Sequence, residues 1–113
     1  DTAMLEQYID LVGPQLIYQS ADMFEKMMPG YLAVLDSNMT ARDQKGIAEE
    51  GHKIKGAAGS VGLKHLQQLA QQIQTPTLPA WWDNVQEWID ELKAEWRNDI
   101  QVLREWTANA EKK

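Results

Sequence analysis

Val85, Ile89, Leu92, Trp96, Ile100 and Leu103 recur at intervals of three and four. That spacing lines one side of an α-helix and cannot line one face of a strand, whose side chains alternate with period two. It predicts a long helix from about Trp81 to Ala108, with Trp88 and Trp106 flanking the apolar stripe. The same rhythm runs through Leu16, Ile17, Met23, Phe24, Met27, Met28, Tyr31, Leu32, Leu35 and Met39. Its phase survives Pro29-Gly30, which predicts one long helix kinked at the proline. Upstream, Met4, Leu5, Tyr8, Ile9, Leu11 and Val12 suit a short amphipathic helix ended by Gly13-Pro14. Pro14 then falls in the first turn of the next helix, where its missing N–H does no harm. No segment shows strand alternation, so the expected fold is all-α: an antiparallel four-helix bundle with an additional short N-terminal helix.

The connectors agree with this plan. Thr40-Ala41-Arg42-Asp43 resembles a capping box, with the Thr40 hydroxyl available to unpaired amides at the start of the following helix. That helix should run to about Ser60. Gly59-Ser60-Val61-Gly62 permits a sharp reversal into a helix carrying Leu63, Leu66, Leu69, Ala70 and Ile73 on its buried side. Thr75-Pro76-Thr77-Leu78-Pro79 is an extended break, too short to separate domains. A chain of 113 residues is expected to form one domain, residues 1–113, and its opening Asp1-Thr2-Ala3 suits a processed product or a domain cut from a longer protein.

Charge and composition narrow the function classes. Seventeen acidic against 11 basic residues give a net charge of −6, which opposes attraction to nucleic acid or an anionic membrane and points to protein partners. There is no cysteine, so a disulfide framework and a thiolate metal site are both excluded; the composition suits a reducing compartment. No apolar run approaches the roughly 20 residues needed to cross a bilayer, and no signal peptide is evident. The five tryptophans lack the basic interleaving of a base-stacking surface and read as packing, as do the methionines. Glu87, Glu91 and Glu95 repel one another at spacings of four and are expected on a solvated face. His65 lies across the turn from His52 with no zinc-like spacing such as His-x-x-x-His and no nearby ordered carboxylate pair, so neither a dedicated metal site, as distinct from adventitious metal binding, nor an intrinsic cofactor is expected.

His52 is the residue that carries chemistry. In a helix, Ile47, Ile54, Ala58 and Val61 share one apolar side and His52 points away from it. Ala48, Gly56 and Gly59 lie within two turns on its side, with Lys45, Lys53 and Lys55 supplying positive charge. A glycine inside a helix costs about 0.5–1 kcal/mol relative to alanine, so Gly51, Gly56 and Gly59 around one histidine need a compensating reason. Close approach by another molecule is one; tight helix packing beside an ordinary surface histidine is the other. A neutral imidazole is a nitrogen nucleophile near pH 7, and a neighbouring cation offsets charge on a phosphoryl oxygen. Without a phosphate-cradling loop, this describes a phosphoryl carrier better than a kinase. A helical adaptor without chemistry is the rival; a hydrolase using His52 as base lacks a visible nucleophile. Counting from a turn near Leu63, His52 is level with Gln74, each about 16 Å from the bend. Geometry alone does not choose Gln74 over Gln67, Gln68, Gln71 or Gln72 as a neighbour of the imidazole.

The run His52-Lys53-Ile54-Lys55-Gly56-Ala57-Ala58-Gly59-Ser60-Val61-Gly62 resembles the signature of histidine-containing phosphotransfer (HPt) domains, in which a histidine is followed by a hydrophobic residue, Lys-Gly, a small residue and a later glycine. The resemblance extends from about Met4 to Lys113. It implies a phosphorelay intermediate of two-component signalling, with His52 as phosphoacceptor, Lys55 offsetting phosphoryl charge and Gln74 orienting the ring. Lys45, Ala48, Lys53, Gly56 and Gly59 would form the docking surface. The implied partners are the receiver domain of a parent sensor kinase and the receiver of a cognate response regulator that controls transcription. The Mg²⁺ would be the receiver's, and autokinase activity would reside in a separate domain. A cytoplasmic domain at the C-terminus of a hybrid sensor kinase in the bacterial inner membrane is the implied setting, with neither nucleic acid nor membrane in direct contact.

Overall fold

The apolar stripe of the C-terminal third is the spine of the molecule. In the computed structural model, which describes residues 2–111 and the side chains of residues 13 and 15–110, Val85, Ile89, Leu92, Trp96, Ile100 and Leu103 are all buried. They lie on α4 (Trp81–Glu111), which follows α1 (Thr2–Thr40), α2 (Gln44–Ser60) and α3 (Lys64–Ile73). No strand occurs among the described residues. Each helix packs on two others: α1 on α2 and α4, and α3 on α2 and α4. The four therefore form a square in chain order, with α2 and α4 diagonal. Lys93 on α4 reaches Asp36 at 2.6 Å, and Arg104 reaches Glu25 at 2.9 Å and Asp22 at 2.8 Å, so α1 and α4 run antiparallel.

The other helices contribute stripes at the same period: Ile17, Ala21, Phe24, Met28, Leu32 and Leu35 from α1, Ile47, Ile54 and Ala58 from α2, and Leu66, Leu69, Ala70 and Ile73 from α3. Each large aliphatic side chain so buried contributes about 1.5–3 kcal/mol. Phe24 meets Trp96 edge to face at 6.3 Å between ring centroids. The expected continuity of α1 through Pro29-Gly30 holds. The non-helical backbone inside α1 is Gly13, at φ 81° and ψ 156°, where the short N-terminal helix was expected to end. Glycine alone reaches that conformation without strain, and it separates the short N-terminal segment from the long one. The apolar face expected on residues 4–12 and the ring of Pro14 lie outside the described side chains.

The start of α2 also differs from the expected capping box. Thr40 ends α1, and its hydroxyl donates to the Asp36 carbonyl at 3.1 Å. The cap is Asp43, whose carboxylate accepts from the Gly46 amide at 3.0 Å. Gly46 is bare for a reason: a Cβ there would stand 2.5 Å from Asp43 Oδ2. The loop is held against α4 by Arg42, whose guanidinium lies 4.0 Å from the centre of the Trp82 ring. At the far end, Gly62 at φ 71° makes the reversal into α3.

Candidate functional site

His52 lies midway along α2 on the side away from Ile47, Ile54 and Ala58, and its imidazole is exposed. It makes no hydrogen bond or ion pair with any described residue. Its ring nitrogens are therefore open to a visitor.

What surrounds it is set by how closely α2 meets α3. Gly51 is buried on the α3 side, where a Cβ would stand 2.9 Å from Ile73 Cγ2, 3.0 Å from the Gln74 backbone nitrogen and 3.3 Å from the Ala70 carbonyl. Its bareness brings the C-terminal end of α3 against α2 at the level of His52. That end is tied down from the other side by Trp81, which is 3% exposed and donates its indole N–H to the Gln72 carbonyl at 3.1 Å and the Ile73 carbonyl at 3.2 Å. Both carbonyls belong to the last turn of a helix, where intrahelical donors run out. Gln74, the residue that caps α3, is thereby fixed beside the phosphoacceptor candidate.

The result is an open recess of about 480 Å³ lined by Lys45, Ala48, Glu49, His52, Lys53 and Gln74. Besides His52 itself, four of these were expected near it from sequence; Glu49 was not. No hydrogen bond joins Gln74 to His52 in the structure. Gln74 Oε1 is instead buried without a donor. Lys53 is held by Glu50, 2.7 Å away, and this hydrogen bond together with the glutamate's charge raises the ammonium above its ordinary value. Glu50 is itself only 6% exposed. Sequence reasoning gave Glu50 no role and counted Gly51 only among the glycines around the histidine, without placing it against α3. The signal was present for Gly51, which stands four residues after Ile47 and three before Ile54, on the buried side.

The remaining candidates lie elsewhere on α2. A Cβ at Gly56 would meet nothing within 4 Å, so this stretch of the helix surface is open. Gly59 is different: a Cβ there would approach Gln67 Nε2 at 3.0 Å, so α3 covers the side expected to receive a partner. Lys55 lines a second recess of about 220 Å³ with Lys64, Gln67, Gln68 and Gln71. Three of the four alternative glutamines thus face away from the His52 recess, leaving Gln74 as its glutamine.

A second cluster corrects the sequence reading of His65. Glu91 and Glu95, expected on a solvated face, stand over it: His65 Nε2 is 2.6 Å from Glu95 Oε2 and 4.0 Å from Glu91 Oε2. Asp99 follows one turn later. Its carboxyl is raised above the ordinary value by burial and by the charge of Glu95, with His65 pulling the other way.

Known proteins share this fold. The Hpt domain family matches residues 19–106. Over all 113 residues the chain is 69% identical to the aerobic respiration control sensor protein ArcB of Escherichia coli strain K12, and to that of Shigella flexneri to the same extent. It covers 14% of the length of those relatives. Among solved structures it is similar to the histidine-containing phosphotransfer domain of ArcB from Escherichia coli, with a TM-score of 0.94 at 69% identity, covering 97% of this chain and 93% of that one. A solution structure of the same domain gives a TM-score of 0.91 at 69% identity, covering 100% and 90%.

Proposed function

This chain belongs to the Hpt domain family, the histidine phosphotransfer domains of two-component systems, and from that premise we propose that His52 is its phosphoacceptor. The observation that carries the reading is the exposed, unpartnered imidazole held over the α2–α3 contact, with Gln74 beside it. In the forward step a lone pair on one ring nitrogen attacks the phosphorus of a receiver's aspartyl phosphate. The N–P bond forms as the P–O bond to the aspartate breaks, and the carboxylate leaves. The reverse chemistry delivers the group to a second receiver. Mg²⁺ held by the receiver supplies charge neutralisation at the phosphoryl oxygens.

The domain's own residues contribute position and charge. Gln74 Oε1, buried and without a donor, lines the same recess as His52 and is suited to accept the N–H of the non-reacting nitrogen. That would fix the tautomer and leave the reactive lone pair facing outward. Lys45 and Lys53 line the recess and favour an acidic receiver face, and Lys55 approaches from the neighbouring turn. Gly56 leaves room for a partner to close over the ring.

No described helix is long and apolar enough to cross a membrane. The chain spans only 14% of its ArcB relatives, and we place it as a cytoplasmic segment of a hybrid sensor kinase anchored in the inner membrane. Its partners there would be the kinase's own receiver and that of a response regulator. The test is transfer of acid-labile label from a phosphorylated receiver. Wild-type protein should take up label, and His52→Gln should take up none while keeping its helicity. Binding without labelling of the wild type would favour a non-catalytic adaptor instead.

A further inference from the structure

We propose that His65, Glu91 and Glu95 form a binding site for a zinc-class divalent metal ion that joins α3 to α4. The three donor atoms, one imidazole nitrogen and one oxygen from each carboxylate, all lie within 4.8 Å of one another. Donors on a tetrahedral ion with bonds of about 2.0–2.2 Å stand roughly 3.3–3.6 Å apart. His65 Nε2 is 2.6 Å from one carboxylate oxygen and 4.0 Å from the other, so shifts of about an ångström in these side chains complete the set. The side chains are free to make them: His65 is 53% exposed, Glu91 45% and Glu95 39%.

Two further observations point to a cation. Glu95 Oε2 is buried and no hydrogen bond reaches it, although His65 Nε2 stands 2.6 Å away. A buried anionic oxygen without a donor is costly, and a shared cation satisfies it and the ring nitrogen together. Glu91 and Glu95 are also like charges one turn apart, an arrangement that destabilises a helix unless something neutralises it. Asp99, the next residue on that side of α4, lines a recess of about 190 Å³ with His65 and adds to the negative charge beside the three donors. The donor set selects the metal class. One imidazole with carboxylates suits zinc and its transition-metal neighbours, whereas Mg²⁺ and Ca²⁺ take oxygen ligands. The site is separate from His52, because α2 and α4 sit diagonally across the bundle.

The experiment is a titration of metal-stripped protein with zinc chloride, followed by calorimetry and by the ring-nitrogen NMR signals of both histidines. One ion per chain is expected, with the His65 ring signals moving and those of His52 unmoved. His65→Ala and Glu95→Gln should each weaken binding by about tenfold or more, and His52→Gln should leave it unchanged. Zinc should raise the thermal midpoint of the wild type but not of His65→Ala. All of these positions are at the surface, and circular dichroism confirms that each variant is folded. The proposal is overturned by an absence of saturable binding, by zinc shifting His52 in place of His65, or by unchanged affinity in both cluster variants, which would leave only a His65–Glu95 ion pair. It is equally overturned by one ion per two chains accompanied by dimerisation, which would put the metal between molecules.

Discussion

Replacing Gly51 and, separately, Gly56 by alanine isolates the contact that positions the site. Both residues lie inside α2, so each substitution gains the same helix preference, about 1 kcal/mol. They differ in what the new methyl group meets. At Gly56 there is nothing within 4 Å, and the gain should appear in full. At Gly51 the methyl would stand 2.9 Å from Ile73 Cγ2 and 3.0 Å from the Gln74 backbone nitrogen. Ile73 is fully buried, and the Gln72 and Ile73 carbonyls hold the Trp81 indole, so neither obstacle can swing aside. Overpacking of this kind costs about 1–3 kcal/mol. Because the helix term is common to both variants, their difference in stability equals the contact cost. In a chain of this size each kcal/mol corresponds to roughly 3–6 °C in thermal midpoint. Urea unfolding followed by tryptophan fluorescence reads the difference directly, since Trp81 and Trp96 are buried. Gly56→Ala should be more stable than wild type and Gly51→Ala less stable than Gly56→Ala by that margin. Equal stabilisation of the two would refute the claim that α2 and α3 meet through Gly51.

Asp43→Ala should cost about 1 kcal/mol by removing the cap on α2, whereas Thr40→Val should stay within about 0.5 kcal/mol; equilibrium unfolding of the pair distinguishes the two capping schemes. Gly56→Leu should slow phosphotransfer from a receiver while leaving the far-ultraviolet spectrum unchanged, because the added bulk enters open surface that a partner needs; undiminished transfer would contradict that use of the surface. Lys53 is raised above its ordinary value of 10.5 by Glu50. A group raised in the folded state gives its full stabilisation below its unfolded value and loses it as pH climbs through the folded one. The stability difference between wild type and Lys53→Met should therefore be constant from neutral pH to about pH 10 and shrink above it, as unfolding curves across that range would show.

The architecture was legible because the apolar spacing of α4 and α1 repeats with helical period over many turns. Counting residues from the turn is enough to put Gln74 level with His52. Local details were harder to read. Thr40 and Asp43 are both good capping residues three apart, and only the hydrogen bond to Gly46 separates them. The break at Gly13, by contrast, was legible, because Gly13-Pro14 closes one apolar stripe and opens the next, and the helical dihedrals do break there. The glycines beside His52 look alike in sequence, but one is open, one faces Gln67 and one is wedged on α3. His65 and the Glu91–Glu95 pair are more than 25 residues apart, and only the α3–α4 packing brings them together.

The central claim is that the group arriving from a receiver lands on one particular ring of this chain, the imidazole of His52. Mass mapping of the labelled domain, digested without acid exposure so that an N–P bond survives, addresses it directly. Phosphate is expected on the peptide containing His52 and on no other. Phosphate on the peptide containing His65, or on an acidic side chain, would contradict the assignment.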